Sequence, residues 1–374
     1  MKIFVDARSL YAHIISGVPE YTRLAITAMA RRFPSEEFLF FANRSKMKSK
    51  KNPLENEVKG EWLNLGISNK IWSATNRLFG LPKIDKLVRA DVYWSPHIDI
   101  LSFKNPARHV LTIHDLSFVF YPEFFTWQKN FWHWRQNYER QIKEAGRVIA
   151  VSEFTRRTII DRFRLDERKV VRIYPGLDDF YRDKTEGKET DERKYPFLLH
   201  VGTLEPRKNA IGAIRAFNLV KQNGRFKDLK FILVGAPGWL YQKILAEIDR
   251  SPAKNDIVVW GKATREDLRS LYRQAAAFVY PSFFEGFAFP CLEAQASGTP
   301  VIASNRGPLE EVLGTSALLV DPWKIGDLAL AIESVLLDNK VKEHLIEAGR
   351  KNADRFQWQT TAEELMKTFR EIHG

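Results

Sequence analysis

The sequence predicts an α/β protein of two doubly wound, Rossmann-like parallel-sheet domains facing a central cleft. Three observations predict it. Short apolar runs of strand length alternate with amphipathic helical stretches along the chain. The alternation comes as two series separated by one polar stretch, 178–196 (DDFYRDKTEGKETDERKYP). The length, 374 residues, suits two domains.

In the first series the strand candidates are 2–6 (KIFVD), 38–42 (FLFFA), 92–94 (VYW), 110–113 (VLTI), 148–151 (VIAV) and 170–174 (VVRIY). Most are short, strongly apolar and bounded by polar or turn residues, as strands covered on both faces must be. Helical patterns at 19–32 and 155–163 lie between them. The second series offers 197–201 (FLLHV), 231–234 (FILV), 257–259 (IVV), 277–280 (AFVY), 301–303 (VIA) and 318–320 (LLV). Its helical patterns are 209–222, 239–249, 265–276 and 292–297, the last stopped by Gly298-Thr299-Pro300. The first domain is therefore placed at 1–180, a linker at 181–196, and the second domain from 197 to 355. Ligands of such sheets bind at the carboxyl ends of the strands.

Hydrophobic residues make up 44% and charged residues 28%, enough for a sizeable core and unlike a disordered chain. The single cysteine, Cys291, excludes an internal disulfide framework or a multi-cysteine metal site and suits a reducing cytoplasm. No run of 18 apolar residues is present, and the start, MKIFVDARSLYA, does not read as a signal peptide. Lys and Arg number 58 against 46 Asp and Glu, a formal net charge of +12. The excess is uneven: residues 1–180 hold 30 basic and 20 acidic side chains, residues 181–374 hold 28 and 26. Charge alone admits nucleic acid, an anionic membrane surface or a phosphorylated ligand.

The segment 281–298 (PSFFEGFAFPCLEAQASG) carries two glutamates, Glu285 and Glu293, across a Gly- and Pro-containing turn. Glu285 is expected on the loop after strand 277–280. Glu293 is expected in the first turn of the next helix, where a carboxylate favours the macrodipole. Backbone N–H groups of 289–292 at that helix start suit a diphosphate. A surface carboxylate pair is the plainer reading. The segment 200–209 (HVGTLEPRKN) ends a strand at Gly202 and sets Arg207 and Lys208 before a helix. Two adjacent cations there can neutralise a diphosphate, Arg as a planar fork and Lys as a point charge. An exposed basic turn is the alternative.

The run Glu285-Gly286-Phe287-Ala288-Phe289-Pro290-Cys291-Leu292-Glu293 resembles the signature of the retaining nucleotide-sugar glycosyltransferases of family 4, which have the GT-B fold. The segment with Arg207 and Lys208 matches the same family, whose bacterial mannosyltransferases the chain is most like. The resemblance implies that Glu285 binds the donor sugar, Glu293 the nucleotide ribose, and Arg207 and Lys208 the leaving diphosphate. It places Phe287, Ala288, Phe289 and Leu292 along the donor. Ala288 stands where Gly is common, adding a Cβ near the sugar. The Ser16-Gly17-Val18 loop corresponds to one where Gly17 lets backbone approach the phosphates, and His114, ending strand 110–113, to a residue beside the donor sugar. Gly261 and Lys262 match a segment that cradles the base. Segment 150–155 resembles an architectural strand–helix junction, with Ser152 as N-cap. Residues 356–374 resemble a C-terminal helix that returns to the first domain.

The resemblance thus implies a glycosyltransferase that moves a hexose, mannose from GDP-mannose, onto a glycan or lipid-linked oligosaccharide. A UDP-sugar donor, or a sugar-nucleotide epimerase, are the alternatives. With no Asp-x-Asp motif, no obligatory metal or cofactor is expected. Phe124, Trp127, Phe131, Trp134, Tyr138, Ile142 and Ala145 recur at helical spacing, with Lys129, Arg135, Arg140 and Lys143 opposite. They read as one core helix, or as a helix meeting a lipid-linked acceptor at an anionic membrane surface. Ile71, Trp72, Leu78, Phe79 and Leu81 form a second basic–apolar stretch, and 44–51 (RSKMKSKK) a charge cluster. This pattern favours a peripheral protein on the cytoplasmic side of a membrane, with no nucleic acid partner.

Overall fold

The computed structural model describes residues 1–11, 17–43, 54, 57–182 and 195–374. It contains two compact units, Met1–Gly176 with Gln357–Gly374, and Leu177–Phe356.

Among the described residues the first unit holds a seven-stranded sheet. Its strands are β1 (Lys2–Asp6), β2 (Glu37–Phe41), β3 (Glu61–Leu63), β4 (Val92–Ser95), β5 (His109–Ile113), β6 (Arg147–Ala150) and β7 (Val170–Arg172). The order is β3-β2-β1-β4-β5-β6-β7, and every neighbouring pair is parallel. Phe4, Phe40, Trp94, Leu111 and Ile149 are fully buried, which is why these strands read as unbroken apolar runs. β3 is absent from the sequence reading. It is a three-residue edge strand that begins with an exposed glutamate, so it carries no apolar run to find. The helix Trp358–His373 packs against the helix Gly17–Arg32 within this unit, and Phe369 meets Trp94 with ring centres 5.8 Å apart. Gly176 makes that return possible: a Cβ on it would stand 2.3 Å from the Trp358 backbone nitrogen.

The second unit holds, among the described residues, a six-stranded sheet. Its strands are β8 (Phe197–Val201), β9 (Lys230–Val234), β10 (Ile257–Gly261), β11 (Ala277–Tyr280), β12 (Val301–Ser304) and β13 (Leu318–Val320). The order is β10-β9-β8-β11-β12-β13, again all parallel. Leu198, Phe217, Phe231, Leu233, Val279, Ile302 and Ile332 form its core. Both sheets reverse winding beside their first strand, at β1/β4 and at β8/β11. Chain segments leaving the carboxyl ends of those neighbours diverge and open a crevice.

Two expectations change. Residues 177–182, expected as the end of the first domain and the start of the linker, pack with the second unit: the Leu177 amide donates to the Phe356 carbonyl, and Arg182 pairs with Asp354 at 2.8 Å. Of the expected linker, 183–194 lie outside the described residues, as do Ser16 and the cluster 44–51. The single aromatic helix is two, Trp127–Arg135 and Tyr138–Glu144, separated by Asn137 in the left-handed region at φ 52°. The first buries no residue, whereas the second inserts Ile142 into a core that also takes Ala145. No helix among the described residues is long and apolar enough to cross a membrane.

Each unit buries a histidine in its sheet. His109 lies 2.9 Å from Ser95 Oγ and His200 2.9 Å from the Val279 carbonyl. Burial pushes them down to about 3 and about 4, so both are neutral imidazoles at neutral pH. As pH falls below the ordinary value of 6.5, the unfolded chain takes up these protons first. Stability should therefore drop between pH 6.5 and 4, by about 1.4 kcal/mol per pH unit for each histidine. Thermal unfolding followed across that range checks this; His109→Gln should flatten the slope, and a pH-independent midpoint would contradict it.

Candidate functional site

The β8/β11 switch point brings two loops together. The loop after β8 runs past Gly202, and at Gly235, after β9, any Cβ would stand 1.8 Å from the Gly202 carbonyl oxygen. Glycine is therefore required there, at φ 153°, to let the two backbones pass. The loop ends in a tight turn, Pro206–Lys208. Asn209 follows at φ 54° and caps the helix Ala210–Gln222, its side chain accepting from the Gly212 amide at 3.1 Å. The loop after β11 carries Ser282 and Glu285, and its Phe283 amide donates to the Arg207 carbonyl at 2.9 Å.

The two loops meet in a buried charge cluster. Lys208 Nζ lies 2.7 Å from Glu285 Oε1, and Arg207 Nη1 lies 3.1 Å from Oε2. Tyr280 accepts from Lys208 at 2.6 Å and its hydroxyl lies 2.9 Å from Glu285; Ser282 Oγ lies 2.5 Å from the same carboxylate. Arg207 also donates to the Phe284 carbonyl at 3.0 Å, and Glu205 holds its Nε at 3.0 Å. Burial alone would raise the Glu285 carboxyl. The Lys208 and Arg207 charges and the hydrogen bonds from Lys208 and Ser282 outweigh it and bring the group down to about 2. Glu205 moves the other way, raised by burial despite the opposing Arg207 and Lys208 charges. At neutral pH Glu285 is a fixed carboxylate, poorly suited to act as a base. The Arg207 and Lys208 side chains are mostly buried, and burial strengthens the pull of a cationic group on an anion.

The other expected residues divide. Glu293 lies in the second turn of the helix Phe289–Ala296, not the first, because that helix begins three residues earlier than expected. Its partner is the Tyr272 hydroxyl, at 3.0 Å. Of the four amides at 289–292, Pro290 has no N–H, Cys291 donates to the Ala288 carbonyl and Leu292 makes the first intrahelical bond, so at most that of Phe289 can meet an anion. Phe287 packs its ring against Phe289 and Phe356, and Leu292 is fully buried, so their side chains serve the core. Ala288 sits at φ 97°, a backbone region that suits glycine. Gly261, at φ 78°, ends β10 and Lys262 follows it, two strands from β8. In the first unit, Gly17 opens the helix Gly17–Arg32 with free space where a Cβ would stand. His114 follows β5; its Nε2 lies 2.8 Å from the Pro96 carbonyl, and Tyr21 meets its ring edge-on at 4.7 Å. A carbonyl only accepts, so Nε2 carries the proton; burial brings His114 down to about 4 and keeps it neutral.

The sequence reading missed Tyr280, Ser282 and Glu205 as members of the cluster. Their signal was faint: a Tyr ending an otherwise apolar strand, a Ser two residues on, and a Glu beside the basic pair.

Two substitutions test this geometry. Glu285→Ala leaves Lys208 and Arg207 in buried surroundings without their shared carboxylate and should destabilise the second unit by about 3 kcal/mol. Ala288→Gly should stabilise it by about 0.5–1 kcal/mol, because relief of the left-handed strain exceeds the extra chain entropy of glycine. Chemical denaturation measures both; wild-type stability in Glu285→Ala would refute the buried ion-pair account.

Two family models match in succession: glycosyltransferase family 4 over residues 25–179 and glycosyl transferases group 1 over residues 182–352. The chain is 29% identical over 269 residues to O-antigen chain mannosyltransferase B of Escherichia coli, covering 70% of each chain. It is 27% identical over 261 residues to O-antigen chain mannosyltransferase RfbU of Salmonella typhimurium, covering 67% of each. The crystal structure of Anabaena Alr3699/HepE in complex with UDP and glucose superposes with a TM-score of 0.70 at 20% identity, covering 98% of both chains. With two parallel sheets of this topology, each matched by its own model, the chain belongs to the glycosyltransferases of these adjoining models and has the GT-B fold.

Proposed function

We propose that this glycosyltransferase moves mannose from GDP-mannose to a glycan or lipid-linked glycan, with retention at the anomeric carbon. The observation that carries the reading is the Arg207–Lys208–Glu285 cluster at the β8/β11 switch point. In the proposed reaction the bond from the sugar C1 to the diphosphate oxygen breaks and the acceptor oxygen bonds to C1. The acceptor proton passes to the leaving phosphate. Arg207 and Lys208 stabilise the charge that develops on the diphosphate, a role that needs no obligatory metal. Glu285 orients the sugar hydroxyls, Glu293 the ribose, and neutral His114 the reacting region. The depressed Glu285 carboxyl supports a mechanism without a protein base, since a group ionised down to about pH 2 holds protons poorly. The mannosyl assignment is supported by the two O-antigen mannosyltransferases to which the chain is similar.

A UDP-sugar donor is the second reading, favoured by the fold neighbour that holds UDP and glucose. A thermal-shift panel of GDP, UDP, GDP-mannose and UDP-glucose decides between them. GDP and GDP-mannose should raise the unfolding midpoint of the wild type most; a larger UDP shift would replace the donor, and no shift from any nucleotide would remove the site. Sugar release without an acceptor-linked product would point to an epimerase. Lys208→Ala should lower kcat by roughly a hundredfold or more, the scale of losing one transition-state donor. Transfer assays with the folded variant check this.

A further inference from the structure

The first unit carries an apolar surface that its own core does not use. The helix Asn69–Phe79 is anchored by Trp72, which is fully buried and donates to the Ile100 carbonyl at 3.1 Å, and by buried Ser73 and Asn76. This anchoring fixes the rotation of the helix and turns Ile71, Leu78 and Phe79 outward; Leu78 and Phe79 are each 71% exposed. The helix Trp127–Arg135 is tied to it by Arg77, whose guanidinium lies 4.6 Å from the centre of the Trp134 ring. Trp127, Phe131 and Trp134 recur at spacings of four and three on one face of that second helix. All three are more than half exposed, Trp127 at 73%, and Phe131 stacks on Trp134 at 5.5 Å. Aromatic side chains of this size dominate burial energetics wherever they find a partner.

Charge identifies the partner. The two helices carry Lys70, Arg77, Lys129 and Arg135 and not one Asp or Glu. A second protein surface of ordinary composition offers no reason for so one-sided a set. An interface of acyl chains beneath anionic headgroups matches both the apolar projections and the cations beside them. Trp is enriched at that depth because its ring is apolar and its N–H stays wet.

We infer that this two-helix face docks the protein on an anionic lipid bilayer, with Leu78, Phe79, Trp127 and Phe131 inserted below the headgroups and Lys70, Arg77 and Lys129 among them. The inference rests on this surface and not on the donor assignment, and it supplies a membrane contact for the lipid-linked form of the acceptor.

Co-sedimentation of the full chain with extruded vesicles tests it, comparing phosphatidylcholine alone with phosphatidylcholine containing phosphatidylglycerol. The protein should sediment with the anionic vesicles at low salt and be released in part at high salt. Leu78→Ser with Phe79→Ser, and separately Trp127→Ser with Phe131→Ser, should each weaken binding by about tenfold or more, as expected for removing two inserted apolar side chains. Lys70→Glu with Arg77→Glu should weaken it on anionic vesicles only. Lys340→Glu with Lys342→Glu, on the second unit, should leave it unchanged. Lys70, Leu78, Phe79, Trp127, Phe131 and Lys340 are exposed, and Arg77 and Lys342 are half-buried, so circular dichroism and the nucleotide thermal shift should match wild type in every variant. Failure to sediment with anionic vesicles at low salt would overturn the inference. So would binding unaffected by both apolar pairs, or a concentration-dependent dimer that these same substitutions dissociate, which would assign the face to a second copy. A nucleotide shift that persists while vesicle binding fails separates this outcome from failure of the donor site.

Discussion

The second unit depends on one buried carboxylate. Glu285 takes part in contacts with Lys208, Arg207, Tyr280 and Ser282, and so joins the loop after β8 to the loop after β11. A buried ion pair is rarely a net gain over a well-packed apolar contact, so its presence points to a need for fixed charge at that place. The cost of taking these groups out of water is met by mutual compensation: every charged end in the cluster faces an opposite charge or a backbone dipole. The same compensation leaves Arg207 and Lys208 oriented in advance, which is what stabilising a leaving diphosphate requires.

The fold explains why these residues meet. Lys208 and Glu285 are 77 positions apart. They become neighbours because β8 and β11 pair in parallel across the point where winding reverses. Backbone choices then set the details: Gly235 lets two loops pass, Asn209 turns the chain into the next helix, and Ala288 holds a left-handed turn before the helix Phe289–Ala296. The first unit repeats the architecture with different contents. Its switch-point strand β1 ends in Asp6, which is buried and bound at two points by Arg8, at 2.8 and 2.6 Å. There too a carboxylate and an arginine fix the loop at a strand's carboxyl end.

Both units bury large side chains and leave some exposed, Trp323 and Leu330 in the second, Leu78, Phe79 and Trp127 in the first. In the first, the exposed ones gather on two helices joined by the Arg77–Trp134 contact. Most of the chain's excess positive charge, +10 of +12, falls in residues 1–180. Positive charge on the first unit, and the buried ion cluster on a nearly neutral second unit, keep the proposed surface role apart from the proposed chemical one.

Much of this was readable from the amino-acid order. Twelve of the thirteen strands among the described residues were found as apolar runs, because a parallel strand covered on both faces must be apolar at nearly every position. Arg207, Lys208 and Glu285 were singled out from local motifs and the resemblance those motifs carry, and the structure brings the three side chains together. Tertiary structure decided what local pattern does not carry. The edge strand β3 is short and half polar, so no periodicity marks it. The aromatic stripe from Phe124 to Ala145 keeps helical spacing through Asn137, yet the backbone breaks there, one half entering the core and the other facing solvent. Glu293 moved from the first helical turn to the second because the helix start depends on a strained Ala288, a residue whose type gives no warning of its conformation. Tyr280 and Ser282 joined the site only through contacts that pairing of β8 with β11 creates. Sequence determines which groups are available and how each segment is patterned; the packing of distant segments determines which groups share a dielectric environment, and with it their charge and their use.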